Sequence, residues 1–292
     1  MKFPSNWPRP FRRPPAAAAE TATVTSPTPG GLGTFGGVYT PSILTILGVI
    51  MYLRFGWVVG NVGLLGTLAI VTISTSITFL TALSVCAIST DRVVRAGGAY
   101  YMISRSLGIE TGGAVGIPLY FAQAISVALY TIGFAESLVE TFARLDMALV
   151  TVVTTMLVTV VAIVSARWAI RVQFVIMAAI VLSLIAFVFG HPVANETMGL
   201  FGAPVADAAP FWSVFAVFFP AVTGIMAGVN MSGDLENPTQ SIPAGTLWAV
   251  GTGYVIYMTL PIFLALRADA ASLVTDRLIM QKMALWGPSI LL

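Results

Sequence analysis

Two stretches of the chain place oxygen donors and helix breakers together inside apolar surroundings. In FAVFFPAVTGIMAGVNMSGDL (215–235), Pro220, Gly224, Gly228 and Gly233 interrupt a run too apolar for a soluble loop. In YTPSILTILGVIMYLRFGWVVG (39–60), Pro41 and Gly48 do the same. Within lipid, every backbone group freed by such a break needs a partner, so irregular backbone survives at membrane depth only where it faces protein or lines a cavity. An unwound segment turns carbonyl oxygens toward a cation, and the N–H groups opening the next half-helix offer partial positive charge to an anion. Thr45 and Thr223 add hydroxyls, and neither apolar break holds an acidic side chain. A divalent cation ordinarily recruits carboxylates. The donor set therefore fits a monovalent, weakly hydrated ion. Packing is the competing explanation, since GIMAG (224–228) also has the small-xxx-small spacing that lets membrane helices approach closely.

The elements that must position these breaks are membrane helices. Hydrophobic residues make up 57% of the 292 residues and charged residues only 9%, and the mean hydropathy is +0.92. A soluble domain would carry roughly a quarter charged residues. Spans of about 20 apolar residues, the length a bilayer core demands, fall near 40–60, 66–89, 113–138, 147–165, 172–190, 211–231 and 245–266. The expected fold class is thus an all-α integral membrane protein of about seven transmembrane helices, with the start of an eighth near 285–292 where the chain stops short. Residues 1–36, rich in Pro, Ala, Ser and Thr, read as a disordered tail. The remainder, 37–292, reads as one transmembrane domain. Helices 1 and 6 are the broken ones and lie five apart, which points to an inverted-repeat transporter with a midplane site. The first five-helix repeat would cover about 37–190 and a partial second about 210–292.

Lys2, Arg9, Arg12, Arg13, Arg92, Arg95, Arg105, Arg167 and Arg171 fall on one side of these spans, and Arg144, Arg267, Arg277 and Lys282 on the other. The excess puts the N-terminus in the cytoplasm, in a multi-pass protein of a plasma or bacterial inner membrane. The net charge of +2 and the absence of aromatics interleaved with basic residues argue against nucleic acid. Cys86 is the single cysteine and His191 the single histidine, so no disulfide and no transition-metal site is expected. The twelve methionines read as packing. NET (195–197) is a glycosylation sequon in an outer loop.

LTILGVIMYLRFGWVVG (44–60), STDRVVRAGGAYYMISRSLGIETGGAVG (89–116), ALYTIGFAES (128–137) and FFPAVTGIMAGVNMSGDLENPTQSIPAGT (218–246) closely resemble the cation-chloride cotransporters. That family belongs to the amino acid-polyamine-organocation superfamily and has the LeuT-like fold. The resemblance runs from about residue 33 onward, and its expectation is a prokaryotic member truncated at the start of helix 8. It implies a potassium site made by backbone at Thr45 and Ile46, the Pro220 carbonyl and the Thr223 and Tyr130 hydroxyls. Asparagine is usual at position 45, so Thr45 departs from the family, although chiefly main chain is used there. The resemblance further implies one chloride against backbone at Gly48, Val49 and Ile50 and a second against Gly224, Ile225 and Met226. Arg54 and Glu136 match an outer gate pair, and Asp234 an inner gate acid whose lysine partner falls near Gly36. For Arg54 the plainer alternative is snorkelling to the interface, and for Tyr130 it is packing or interfacial anchoring.

The function so implied is chloride symport with potassium, with sodium undecided because the serines of helix 8 lie outside this chain. No cofactor is expected. The partners are inorganic ions and the bilayer, and a homodimer is compatible. An amino-acid permease of the same superfamily is the main alternative, although ILGVI stands where such permeases resemble one another in a Gly-Ser-Gly type break. A truncated, non-transporting subunit is another. No filter-like segment favours a channel, and no catalytic constellation favours an enzyme.

Overall fold

The computed structural model describes residues 31–91, 94, 96–142, 144–164, 166–193, 197–285 and 287. Most of the expected tail, Arg92, Arg95, the first residues of the sequon and the start of an eighth helix at 288–292 lie outside the described residues. Among the described residues every regular element is helical, the only β pairing being an isolated bridge between Leu32 and Leu235.

A π-helical turn, Phe35–Tyr39, runs into α1 (Thr40–Ile46). Beyond a two-residue break comes α2 (Val49–Asp91), whose helical dihedrals fail at Gly63 (φ 70°, ψ 176°). The chain reverses there. Phe55, before the glycine, packs edge-on against Tyr257 at 5.4 Å, and Thr72, after it, lies 3.4 Å from the Tyr254 hydroxyl. The two spans read at 40–60 and 66–89 therefore lie within one apolar stretch, Phe35–Asp91, of 57 residues, more than twice what one crossing needs, and meet at this reversal. Only glycine tolerates the Gly63 dihedrals. A side chain there is held in a region costing on the order of 1 to 3 kcal/mol, and Gly63→Ala is expected to lower stability by about that amount in denaturant titration of the purified protein.

Next come α3 (Gly98–Leu107), α4 (Ile109–Thr141), α5 (Met147–Val164) and α6 (Ala166–Val188). The second broken unit follows as α7 (Phe211–Phe218), a 3-10 turn (Phe219–Val222), α8 (Met226–Asn230) and a further 3-10 turn (Ser232–Asp234). The last described elements are α9 (Pro238–Arg267), α10 (Ala270–Thr275) and α11 (Ile279–Met283). Among the described residues, five stretches are long and apolar enough to cross a membrane: Phe35–Asp91, Ile109–Thr141, Ile170–Val188, Phe211–Asn230 and Pro238–Arg267. The protein is a multi-pass membrane protein. The sequence reading started the last span at 245, whereas α9 starts at Pro238, where proline sits comfortably in a first helical turn because its missing N–H would have no partner.

The core sits between α2 and α9. Phe55, Phe187, Phe218 and Tyr257 are its largest fully buried rings, while α4 and α5 leave broad apolar faces exposed, as helices bordering lipid do. The connection 267–285 is ordered by specific bonds. Asp269 caps α10 by accepting from the Ser272 amide at 3.0 Å, and its hydrogen bonds with the Ser272 side chain and backbone hold the Asp269 carboxyl below its usual range. Arg267 donates to the last carbonyls of α6, at Phe187 and at Val188 (2.6 Å). α10 and α11 then lie against the first half of α2, where side chains at Gly56 or Gly60 would collide with Ile279 (2.7 Å) and Val274 (2.6 Å).

Candidate binding site between two broken helices

α1 ends because Leu47 leaves helical geometry (φ −84°, ψ 41°), and α2 begins two residues on. The second break has the same form. Thr223 is extended (φ −81°, ψ −178°), Gly224 takes φ +100°, and α8 starts at Met226. The two breaks lie side by side. The Thr45 hydroxyl is 3.0 Å from the Gly224 carbonyl, and Ser42 donates to the Ile225 carbonyl at 3.3 Å. Thr45 also lies within reach of its own helix at Ser42 O (2.8 Å) and Pro41 O (3.1 Å), so its one proton is shared among three carbonyls.

Thr45, Ile46, Gly48, Val49, Ile50, Tyr130, Pro220 and Ala221 line one crevice, too tight for a water-sized sphere. Four of the five residues read as potassium ligands and all three of the first chloride set therefore share one wall-to-wall contact. Thr223 does not line this crevice; its hydroxyl donates to the Pro220 carbonyl at 2.7 Å. Gly224, Ile225 and Met226, at the start of α8, do not line it either. Tyr130 reaches in from α4, its hydroxyl 3.4 Å from the Thr45 carbonyl. Its ring covers Gly48 so closely that a Cβ there would sit 3.0 Å from a ring carbon. The chemistry on offer is directional. Two helix C-terminal ends present carbonyl oxygens and two helix starts present N–H groups, which by the helix dipole suit a cation and an anion respectively. No acidic side chain lines the crevice, and no cluster of three or more His, Cys, Asp or Glu able to hold a metal occurs among the described residues.

Beyond the crevice, Arg54 pairs with Glu136 at 3.2 Å. A third participant was not foreseen. Arg277, from the 267–285 connection, also pairs with Glu136, and with Glu140 at 3.5 Å. Arg54 and Arg277 border a cavity of about 440 Å3. At the other end, the side chain of Asp234 makes no ion pair among the described residues. Closure there is main-chain: Leu32 N–H donates to the Asp234 carbonyl (2.7 Å), and Glu236 N–H donates to Leu32 O (3.0 Å). With glycine at position 36, these bonds tie the start of the chain to the segment after α8.

Sequence reading also missed Tyr257. It lies in α9, fully buried, with its hydroxyl donating to the Ile46 carbonyl at 2.6 Å. The signal was present in principle, because a tyrosine within an apolar span needs a partner for its O–H.

A family model described as Amino acid permease matches residues 37–284. The chain belongs to the amino acid permease family. Solute carrier family 12 member 2 of Mus musculus is 37% identical over 245 residues, covering 76% of this chain and 20% of that protein. Solute carrier family 12 member 1 of Mus musculus is 37% identical over 254 residues, covering 78% and 23%. For member 2 of Squalus acanthias the figures are 38% over 244 residues, 76% and 20%. The chain thus spans about a fifth of the length of the curated relatives it matches. This permease-family protein is thus similar, over part of their length, to solute carriers.

Proposed function

We propose that the protein is a secondary active symporter coupling chloride to potassium, working by alternating access around the crevice between the two breaks, with the LeuT-like arrangement of seven spans. The observation that carries the reading is the convergence of helix-end carbonyls, helix-start N–H groups and the Tyr130 hydroxyl in a crevice without a carboxylate. Potassium would lie among Thr45, Ile46, Tyr130, Pro220 and Thr223, one chloride beside Gly48, Val49 and Ile50, and a second near Gly224, Ile225 and Met226. Arg54 and Glu136 would close the outer side and Asp234 would mark the inner one, with the N-terminus in the cytoplasm. Similarity to solute carrier family 12, the cation-chloride cotransporters, supports the reading. The family match itself favours a second one, amino-acid transport. Against it stands ILGVI, at the position where such permeases resemble one another in a Gly-Ser-Gly type break.

Uptake of radiolabelled chloride into proteoliposomes, with potassium, sodium or an impermeant cation outside, tests the proposal. Uptake is expected to require potassium, and uptake of an amino acid without such dependence would favour the second reading. In the same assay Tyr130→Phe and Thr223→Ala should each weaken apparent potassium affinity, by on the order of 1 to 3 kcal/mol, the cost of leaving a buried charge short of one partner. Equal affinity in both variants would return Tyr130 and Thr223 to packing roles.

A further inference from the structure

The aromatic cluster behind the crevice assigns a role to Tyr257. Phe55 from the first half of α2, Phe218 from the end of α7 and Tyr257 from α9 are all fully buried. Phe55 and Phe218 stack at 5.4 Å, and Tyr257 meets each of them edge-on, at 5.4 and 5.3 Å. Each ring belongs to a different arm of the two broken units or to the helix behind them. The tyrosine ring is thereby fixed on two sides, and its hydroxyl with it.

That hydroxyl donates to Ile46 O at 2.6 Å and lies 3.5 Å from Ala221 O. Ile46 is the last residue of α1, and Ala221 belongs to the 3-10 turn that ends the first arm of the other broken unit. Both residues line the crevice, whereas Tyr257 does not. The phenol therefore reaches the carbonyls of both lips from behind. A carbonyl oxygen has two lone pairs, so Ile46 O can accept from Tyr257 and keep a second lone pair for a ligand. One turn before Tyr257 on α9, Gly253 provides the seat, since a Cβ there would come within 2.8 Å of the Ile46 side chain. Gly253 and Tyr257 lie four residues apart and so share one helix face, which grips the end of α1 by its side chain and its last carbonyl together.

We propose that Tyr257 is the positioning residue that sets cation selectivity, by restraining the Ile46 and Ala221 carbonyls from behind so that they cannot close in on a smaller monovalent cation. The inference rests on the cation reading of the crevice given above. A smaller ion needs the carbonyls to move inward, and selectivity of this kind depends on how far the ligating oxygens can follow the ion. The Tyr257 hydrogen bond and the ring cluster oppose that movement. Removing the hydroxyl frees the Ile46 carbonyl to tilt toward a smaller ion while leaving the ring packing nearly intact.

The test is chloride uptake into proteoliposomes, titrated separately with potassium, rubidium and sodium, for the unmodified protein and for Tyr257→Phe. The ratio of apparent sodium to potassium constants should fall by about tenfold in the variant, the equilibrium worth of one hydrogen bond. The chloride constant at saturating potassium should stay the same, which a general loss of packing would not achieve. Gly253→Ala, which pushes Ile46 off its seat and keeps the phenol, provides a second variant and should also lower the ratio. If the unmodified protein shows no dependence on a monovalent cation, the cation reading falls and this inference with it. If the unmodified protein is potassium-dependent and the ratio is unchanged in both variants, only the role of Tyr257 is overturned.

Discussion

Gly224→Ala is expected to abolish transport and to leave a measurably less stable protein. The position is constrained twice. Its backbone takes φ +100°, a conformation that costs a side-chain-bearing residue on the order of 1 to 3 kcal/mol. An alanine Cβ would also lie 2.7 Å from the Thr45 hydroxyl and 2.8 Å from the Thr45 Cβ, and overpacking of this kind costs about 1 to 3 kcal/mol more. Neither strain can be relieved by a flexible side-chain end, because Thr45 is short and β-branched and its hydroxyl is already the contact to Gly224 O. The relaxation left is to separate the two breaks, which pulls Pro220 away from Thr45 and opens the crevice. Thr45→Ala in the same background makes the cause visible. It removes the hydroxyl that the new methyl meets, so the double variant should recover part of the stability lost in Gly224→Ala, measured by thermal unfolding in detergent. Additive losses would mean that the Thr45 hydroxyl is not the obstacle, and that backbone strain and the contact with the Thr45 Cβ account for the effect.

Much of the candidate site was legible because it is made of local signals. Pro41, Gly48, Pro220 and Gly224 stand inside apolar runs, and a break inside an apolar run announces itself without knowledge of the partner. The structure brings Thr45, Ile46, Gly48, Val49, Ile50, Tyr130 and Pro220 to one crevice. The apolar stretches were legible for the same reason, five of them long enough to cross a membrane among the described residues, although not their joins. The sequence reading left a linker between 60 and 66, whereas the chain turns at Gly63 alone, since one residue with φ 70° can reverse two helices.

What escaped depends on approach between distant segments. Tyr257 finds Ile46 across 211 positions and Arg277 finds Glu136 across 141, and no periodicity records either meeting. The main-chain pairing of Leu32 with Asp234 and Glu236 uses groups that every residue possesses, so it leaves no trace in side-chain identity. The inner acid Asp234 was legible by type, but its side chain has no ion partner among the described residues, and main-chain bonds do the joining. Short helices α10 and α11 were also missed. They owe their positions to α2, where Gly56 and Gly60 admit them, more than to propensity in five or six residues.

Those helices carry Arg277 to the outer carboxylates, and this gives Glu136→Gln the second large expected effect. Arg54 stands on α2, and Arg277 on a connection packed against the same half of α2, while Glu136 and Glu140 stand on α4. Both arginines therefore act from one side and both glutamates from the other. Glu136 is the shared member, 17% exposed, against 36% for Arg54 and 51% for Arg277. Losing its charge weakens two pairs at once. A charge-assisted bond contributes about 1.5 to 3 kcal/mol when shielded and far less when exposed, so a combined loss of about 2 kcal/mol, roughly thirtyfold in the balance between closed and open, is expected. Arg277→Gln leaves the Arg54 pair in place and should shift the balance less. Since Cys86 is the only cysteine, a Cys86→Ala background with Ile50→Cys gives a single thiol inside the crevice. Its rate of reaction with an impermeant reagent applied from the Arg277 side reports opening. The rate should rise most in Glu136→Gln, less in Arg277→Gln, and not at all in Arg144→Gln, a control on the same side that lines neither the cavity nor the crevice. An unchanged rate in Glu136→Gln would mean that packing of α10 and α11 against α2, and not the charged clasp, keeps this side shut.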